Sequence, residues 1–413
     1  MAYDHSFSKK NLIRHILKSE IGIIPQANRD SFRETLGQNS FLISDSYLRN
    51  CSVLSKITIS KKTAYTVPLL EHQLIVRKLN QNLKKSFKSH EKNRNSIIRR
   101  LNLFLQETIP YNIYRLDIAN FYESINQDYL LKLINQNYYL CNHSKGLVSE
   151  IFNQFNALNG TGIPRGVMIS SPLAELTMSS FDKEIAKDKD VFFFQRYVDD
   201  IIIITSGRED INNFQLSLER KLPLGLTFNK KKSKILKIRK NINKGEGEVI
   251  LGNFDYLGYN FSVYSNKSKS SPRKVEIQIS ANKINKIKSK IIRSFISFKK
   301  DQNFNLLIDR IRFLSSNFSF YDRKKGKNKI AGIYFSYPLL TNDIRCLNNL
   351  DNYYRHIILS PNGFLHLNIY SSLTSHQKRE LLKISFSKGY SEKIFNNFSG
   401  VRINKIQECW NNV

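Results

Sequence analysis

The chain has 413 residues, 41% of them hydrophobic, which suffices for two or three packed units around an ordinary core. Its 65 Lys and Arg against 34 Asp and Glu leave a formal charge of +31, a balance that points to a polyanionic partner, nucleic acid above all. No run of about 18 apolar residues argues for a membrane span, Met1-Ala2-Tyr3-Asp4-His5 lacks the layout of a signal peptide, and Cys51, Cys141, Cys346 and Cys409 form no CxxC pair; the expectation is a cytoplasmic protein with reduced thiols and no membrane partner.

Residues 1–50 mix short helical patterns with polar breaks and carry no motif. Val53 to Ser60, the basic pair Lys61-Lys62, and Thr63 to Pro68 read as strand, turn, strand. A helix follows with Leu74, Ile75, Leu79 and Leu83 on one face, and its far end is basic, with Lys84, Lys85, Lys88, Lys92, Arg94, Arg99 and Arg100. That stretch reads either as a solvated face or as a nucleic-acid track.

Ile113 to Ile118 reads as a strand holding Asp117 between apolar neighbours, an unusual place for a carboxylate. It reads either as a cap for the next helix or as a functional acid. Gly160 to Gly166 is a glycine-rich loop, and Ser171-Pro172 then suit the N-cap and first position of a helix over Leu173 to Ile185. Val191-Phe192-Phe193-Phe194 and Ile201-Ile202-Ile203-Ile204 read as two buried strands joined by the turn at Tyr197-Val198-Asp199-Asp200. Adjacent carboxylates between apolar strands are either a surface turn or a divalent-metal site, because buried like charges need a cation.

Further on, residues 212–222 read as a helix, Leu224 to Phe228 as a strand, Asn229 to Lys234 as a basic turn, and Lys244 to Glu248 as a loop. Phe254 to Phe261 reads as a hairpin and 265–274 as a polar, basic linker. Ala281 to Phe298 is an amphipathic helix with Lys283, Lys286, Lys288, Lys290 and Arg293 opposite its apolar face. A second helix runs near Phe304–Leu314, and residues 341–413 form a helical tail whose His356, His366 and His376 are spaced too regularly by ten to share a helical face.

The order of these elements resembles the reverse transcriptase superfamily. Leu116-Asp117-Ile118 through Ile125 is similar to its motif A, Gly162 to Leu176 to motif B, Tyr197-Val198-Asp199-Asp200 to motif C, Leu224 to Ile235 to motif D and Phe254 to Phe261 to motif E. The resemblance implies an α+β right-hand polymerase: a 1–50 extension, fingers and palm over 51–262 with a small antiparallel sheet on helices, a helical thumb over 263–340 and a helical extension over 341–413. It implies RNA-directed DNA synthesis from dNTPs with two Mg²⁺ ions about 4 Å apart, or Mn²⁺ in their place, one activating the 3′-hydroxyl and one holding the triphosphate.

By the same resemblance Asp117 and Asp199 are the bridging metal ligands, the Ile118 carbonyl assists, and Asp200 lies nearby as a ligand of the primer-side metal. Tyr122 is the ring that rejects a 2′-hydroxyl, Lys232 the lysine that protonates pyrophosphate, and Lys61 or Lys62 a grip on the triphosphate. Arg165 and Gly166 belong to the nucleotide pocket. There the family usually writes Pro-Gln-Gly, and this chain has Pro164-Arg165-Gly166; an arginine forks onto phosphate or guanine. Lys283, Lys286, Lys290 and Arg293 are expected to track the duplex backbone.

No integrase, protease, RNase H or retron signature accompanies the motifs. The chain is therefore most similar to bacterial defence-associated, unknown-group and abortive-infection reverse transcriptases. That placement implies antiphage defence, a structured non-coding RNA template, a cDNA product, and assembly as a homo-oligomer or with a second protein. Two other readings stand beside it: a catalytically silent RNA-binding subunit with a polymerase fold, which the complete carboxylate set disfavours, and an RNA-templated RNA polymerase, which the bulk of Tyr122 disfavours.

Overall fold

The computed structural model describes residues 3–59, 62–87, 93–239, 249–266, 271–322, 327–360, 369 and 371–411. They form two units. The first comprises Met1–Asn93 and Pro110–Ile238, the second Arg94–Ile109 and Arg239–Val413.

The first unit opens with helices α1 (Lys9–Ile13), α2 (Lys18–Gly22) and the 17-residue α3 (Arg29–Asp45). Strands β1 (Ser55–Ile59) and β2 (Lys62–Thr66) pair antiparallel with Ile59 opposite Lys62, so Lys62 begins a strand rather than sitting in the turn. Ser60 and Lys61 lie outside the described residues, as do Lys88, Lys92, the Lys244–Glu248 loop and His366. Helix α4 (Leu70–Ser86) follows. Its expected apolar stripe is fully buried: Leu74, Ile75, Leu79 and Leu83 are all at 0% exposure. Helix α5 (Arg94–Leu105) belongs to the second unit.

The palm-like sheet is four-stranded and antiparallel, in the order β4-β5-β3-β6, from β3 (Tyr111–Asp117), β4 (Val191–Tyr197), β5 (Asp200–Thr205) and β6 (Lys234–Ile238). Strand β5 is central, and its four isoleucines are buried to within 1%. Its partner β4 is not the second fully buried strand that the phenylalanine run suggests. It is an edge strand with a register shift between Val191 and Phe193, and Phe192 is 45% exposed. Hydrophobicity alone does not separate edge from centre; the number of pairing partners does.

The helices α6 (Phe121–Ser124), α7 (Gln127–Asn135), α8 (Asn142–Ala157), α9 (Ser170–Thr177), α10 (Ser179–Ala186) and α11 (Ile211–Lys221) complete this unit. The expected helix over Leu173–Ile185 is broken in two at Met178 and begins earlier, with Ile169 as N-cap in place of Ser171. The Ser170 hydroxyl caps nothing and donates instead to the Pro164 carbonyl at 2.6 Å. Leu224–Phe228 is also not a strand. Gly225 turns through φ +89°, where a Cβ would come 2.7 Å from the Ser124 carbonyl, and only Phe228 makes a bridge, to Ile118. The ladder to β3 is supplied by β6, which starts at the lysine expected to end a turn.

The second unit holds a three-stranded sheet of β7 (Ile250–Tyr256), β8 (Tyr259–Tyr264) and β9 (Val275–Ile279). Leu257 and Gly258 close the β7–β8 hairpin with φ of +46° and +80°, the two left-handed residues of a tight hairpin turn. The "linker" over 265–274 is only partly described, and its Arg273 is buried at 2% exposure, bonded to the Thr108 carbonyl and the Asn266 side chain. Arg94 is likewise no solvated track residue. Its guanidinium lies 4.6 Å from the Tyr259 ring and 5.3 Å from that of Tyr337.

Helices α12 (Ala281–Asp301) and α13 (Phe304–Ser315) match the expected pair. The chain after α13 is not wholly helical: β10 (Asn317–Asp322) pairs antiparallel with β11 (Lys327–Gly332) and parallel with β12 (Phe395–Asn397). Helices Ile333–Ser336, Arg345–Leu359, Ser375–Leu382, Phe386–Ser391 and Gly400–Glu408 accompany them. Residues on both sides of position 340 share one core, from Ile291 and Phe295 to Tyr354 and Phe386. No described helix is long and apolar enough to cross a membrane.

Candidate active site

The β4–β5 turn has two residues, Val198 and Asp199, between the opposed pair Tyr197 and Asp200. Val198 sits at φ +59°, a left-handed conformation that a β-branched side chain resists, so the surroundings must hold it there. Arg196 does so. Its side chain has no exposed surface and donates to the Val198 carbonyl at 2.9 Å. Its remaining donors fork onto Asp182 at 2.8 Å and Glu175 at 2.9–3.0 Å. A buried guanidinium that is fully paired is tolerated; the same group with a partner removed is not. Motif spacing gives Arg196 no role. A signal was present all the same: an arginine inside an apolar strand, with acids at 175 and 182 two helical turns apart.

Across β5 from this clamp, Asp117 ends β3 directly opposite Asp200. The Ile118 amide donates to the Asp199 carbonyl at 3.2 Å, and the Asn229 amide donates to the Asp117 carbonyl at 2.7 Å. Asp117, Ile118, Asp199 and Asp200 thus meet at one end of the sheet, and Asp117 caps no helix. Asp117 is 4% exposed. Its Oδ1 accepts from Lys232 Nζ at 3.3 Å, while Oδ2 is buried with no aligned donor, although the same ammonium is 3.3 Å away. Arg115 reaches Asp200 at 3.4 Å. Burial pushes the Asp200 carboxyl up to about 6; Arg115 opposes this, and the negative charges of Asp199 and Asp117 add to it.

Among the described residues no three His, Cys, Asp or Glu side chains close into a metal cage. The donor set nevertheless fits a hard divalent cation. Mg²⁺ takes carboxylate oxygens, keeps several waters and does not require a closed protein cage. The orphaned Asp117 oxygen and the mutual repulsion at Asp200 are what such an ion would relieve.

Tyr122 lies in α6, half-buried, with its ring 5.5 Å from that of Phe121 in an edge contact. Burial, then the charge of Asp199, holds its phenol above the ordinary tyrosine range, so the ring stands within electrostatic reach of the acids. Arg165 does not extend free into a pocket. Its Nε and one terminal nitrogen donate to the two Glu123 oxygens at 3.0 and 3.1 Å, and its guanidinium is 5.6 Å from the Tyr122 ring. Gly166 lets the loop pass β2: at φ +97°, a Cβ would lie 2.7 Å from the Tyr65 carbonyl. A cavity of about 350 Å³ opens here, lined by Lys56, Lys62, Tyr65, Asn120, Glu123 and Arg165 among others. Lys62 and Arg165 thus line one cavity, and Lys56 is a further cation that no motif marks.

In the second unit the expected basic face of α12 is divided. Lys283 and Lys286 are exposed. Lys290 Nζ lies 5.2 Å from the Trp410 ring, whose indole donates to the Lys290 carbonyl at 3.0 Å, and Arg293 donates to the Asn411 carbonyl at 3.3 Å. The amphipathic pattern cannot show that Trp410 and Asn411, just after the last helix, engage the far half of that face.

Residues 59–261 match the family model described as reverse transcriptase (RNA-dependent DNA polymerase). The chain carries a reverse transcriptase domain. The carboxylate cluster, the Arg196 clamp and the Lys62–Arg165 cavity all lie within or just beside that domain. No curated protein matches the sequence. Among solved structures the chain is similar to telomerases. Against apo telomerase from Candida tropicalis the identity is 14%, the TM-score 0.34, and the match covers 82% of this chain and 52% of that one. Against telomerase from Candida albicans in complex with a telomeric RNA fragment the identity is 11%, the TM-score 0.32, and the coverage 81% and 53%. Against a C. tropicalis telomerase truncated of its C-terminal domain the identity is 16%, the TM-score 0.32, and the coverage 46% and 43%. The chain spans about half the length of these relatives, and likenesses this distant say nothing about activity.

Proposed function

We propose that the protein is an RNA-directed DNA polymerase that adds dNTPs to a 3′-hydroxyl. The observation that carries this reading is the meeting of Asp117, Asp199 and Asp200 at one end of the sheet, inside the segment that matches the family model. Asp117, Asp199 and Asp200 would hold the divalent ions, with the Ile118 carbonyl as a further oxygen ligand. When bound, Mg²⁺ supplies charge neutralisation at the triphosphate and a lowered pKa at the attacking hydroxyl.

The chain's own groups have separable tasks. Arg196 holds the Val198 carbonyl and so keeps the turn rigid, which fixes where the acids stand. Lys232 neutralises Asp117 in the free protein and is placed to give a proton to departing pyrophosphate. Lys56 and Lys62 line the cavity where a triphosphate would be gripped. Tyr122 would lie against the nucleotide sugar, its ring rejecting a 2′-hydroxyl by shape.

The reading extends to a structured RNA template in bacterial antiphage defence, with homo-oligomeric or two-protein assembly. The motif order and the charge of +31 support a nucleic-acid partner; sequencing the RNA and DNA that copurify would name it. The direct test is RNA-templated primer extension. Asp199→Asn with Asp200→Asn should abolish dNTP incorporation while RNA binding and folding persist. Undiminished incorporation by that variant would remove the assignment.

A further inference from the structure

We propose that Arg165 is a positioning residue for sugar selection: forked onto Glu123, it braces the ring of Tyr122. This deepens the polymerase reading above and rests on it.

The residue is held at both ends. Its carbonyl accepts from the Tyr65 amide at 2.7 Å, which ties the loop to β2, and the glycine after it has no room for a side chain. Its guanidinium is clamped to the two oxygens of the Glu123 carboxylate by two bonds. Glu123 is the immediate neighbour of Tyr122. The same loop grips Tyr122 a second time, because the Ile163 amide donates to the Tyr122 carbonyl at 2.9 Å. A third tie lies one turn on, where Gln127 donates to the Gly162 carbonyl at 2.7 Å. The backbone of Tyr122 and the face of its ring are therefore both set by residues 162–165.

A glutamine at 165 would keep the backbone ties but lose the fork, since an amide cannot present two parallel donors and a charge to a carboxylate. Tyr122 would then be held at its carbonyl and at Phe121, with its ring freer to tilt from the sugar. The Arg165 and Glu123 side chains are 33% and 41% exposed, so solvent weakens the pair and the effect is modest. A brace also predicts coupling: with either partner gone, removing the other changes nothing more.

The test measures the ratio of kcat/KM for dATP and ATP on one primer and template, together with the ratio of their Kd values without turnover. Arg165→Gln and Glu123→Gln should each lower discrimination by about two- to fivefold, with the double variant no worse than either. Arg165→Lys, which keeps the charge without the fork, should fall between. The exchange Glu123→Arg with Arg165→Glu should restore part of the ratio, which general damage to folding would not allow. Unchanged ratios in both single variants overturn the proposal. So do additive effects, or an effect of Arg165→Gln that Glu123→Gln does not share, since these make Arg165 a direct contact of the nucleotide. A wild-type protein that neither incorporates nor binds nucleotide removes the polymerase reading itself, an outcome distinct from selective wild type with unaltered variants.

Discussion

Two charged clusters flank the same hairpin, and they are built on opposite principles. Around Arg196 one buried cation meets two carboxylates and a carbonyl, with four side-chain bonds of 2.8–3.0 Å. Around Asp117 the two ion pairs are longer, Lys232 at 3.3 Å from Asp117 and Arg115 at 3.4 Å from Asp200, one buried Asp117 oxygen has no aligned donor, and the Asp200 carboxyl is pushed up to about 6. A saturated cluster is finished by folding. An unsaturated one retains uncompensated charge that a ligand can neutralise, so saturation separates scaffold from site more sharply than burial does.

The contrast is broken most directly by exchanging readouts. Asp117→Asn should reduce dNTP incorporation about a thousandfold or more, as expected when several kcal/mol of transition-state stabilisation are lost, with little change in urea unfolding. Arg196→Met should do the reverse in stability, costing about 3–5 kcal/mol because two acids lose their buried cation. Adding Glu175→Gln and Asp182→Asn to it should recover part of that loss. If Asp117→Asn unfolds the protein, or Arg196→Met leaves its stability intact, the division between the clusters is wrong.

A half-buried histidine among cations sharpens the comparison at smaller amplitude. Burial, with Lys78 and Arg77 adding to it, holds His15 down at about 4 from an ordinary 6.5. A depressed base is neutral in the fold, so its contribution is complete above pH 6.5 and is lost as pH falls toward 4. His15→Gln should therefore flatten the stability profile between those pH values by about 1–2 kcal/mol, discounted for partial exposure. An identical profile in chemical denaturation would show that His15 is solvated.

The smallest effect concerns α12. Lys283 and Lys286 are open to solvent, whereas Lys290 and Arg293 are engaged by Trp410 and Asn411. Replacing the first pair with Gln should lower the salt dependence of RNA binding by about one to two units of log–log slope, and replacing the second pair by less than one. Equal slopes for the two variants would mean that Trp410 and Asn411 leave the face free.

Much was determined by the sequence alone. An unbroken apolar run marks the isoleucine strand, which is buried on both faces, and the apolar repeats of α4 and α12 mark helices that each bury one face. The chemical type of the site was also legible, since Asp117, Tyr122, Asp199 and Asp200 stand in motifs whose order is hard to reproduce by chance. Only the tertiary structure decided the rest. Edge or centre for β4, a kink of Gly225 against Ser124, and a tail strand added to β10 all depend on partners distant in the chain, or on a close approach that no window reports. The same holds for which charges are already engaged: Arg165 on Glu123, Arg196 on Glu175 and Asp182, and Lys290 beside Trp410. A side chain's charge is written in its formula, but whether that charge remains available depends on distance and dielectric, which exist only once the chain has folded.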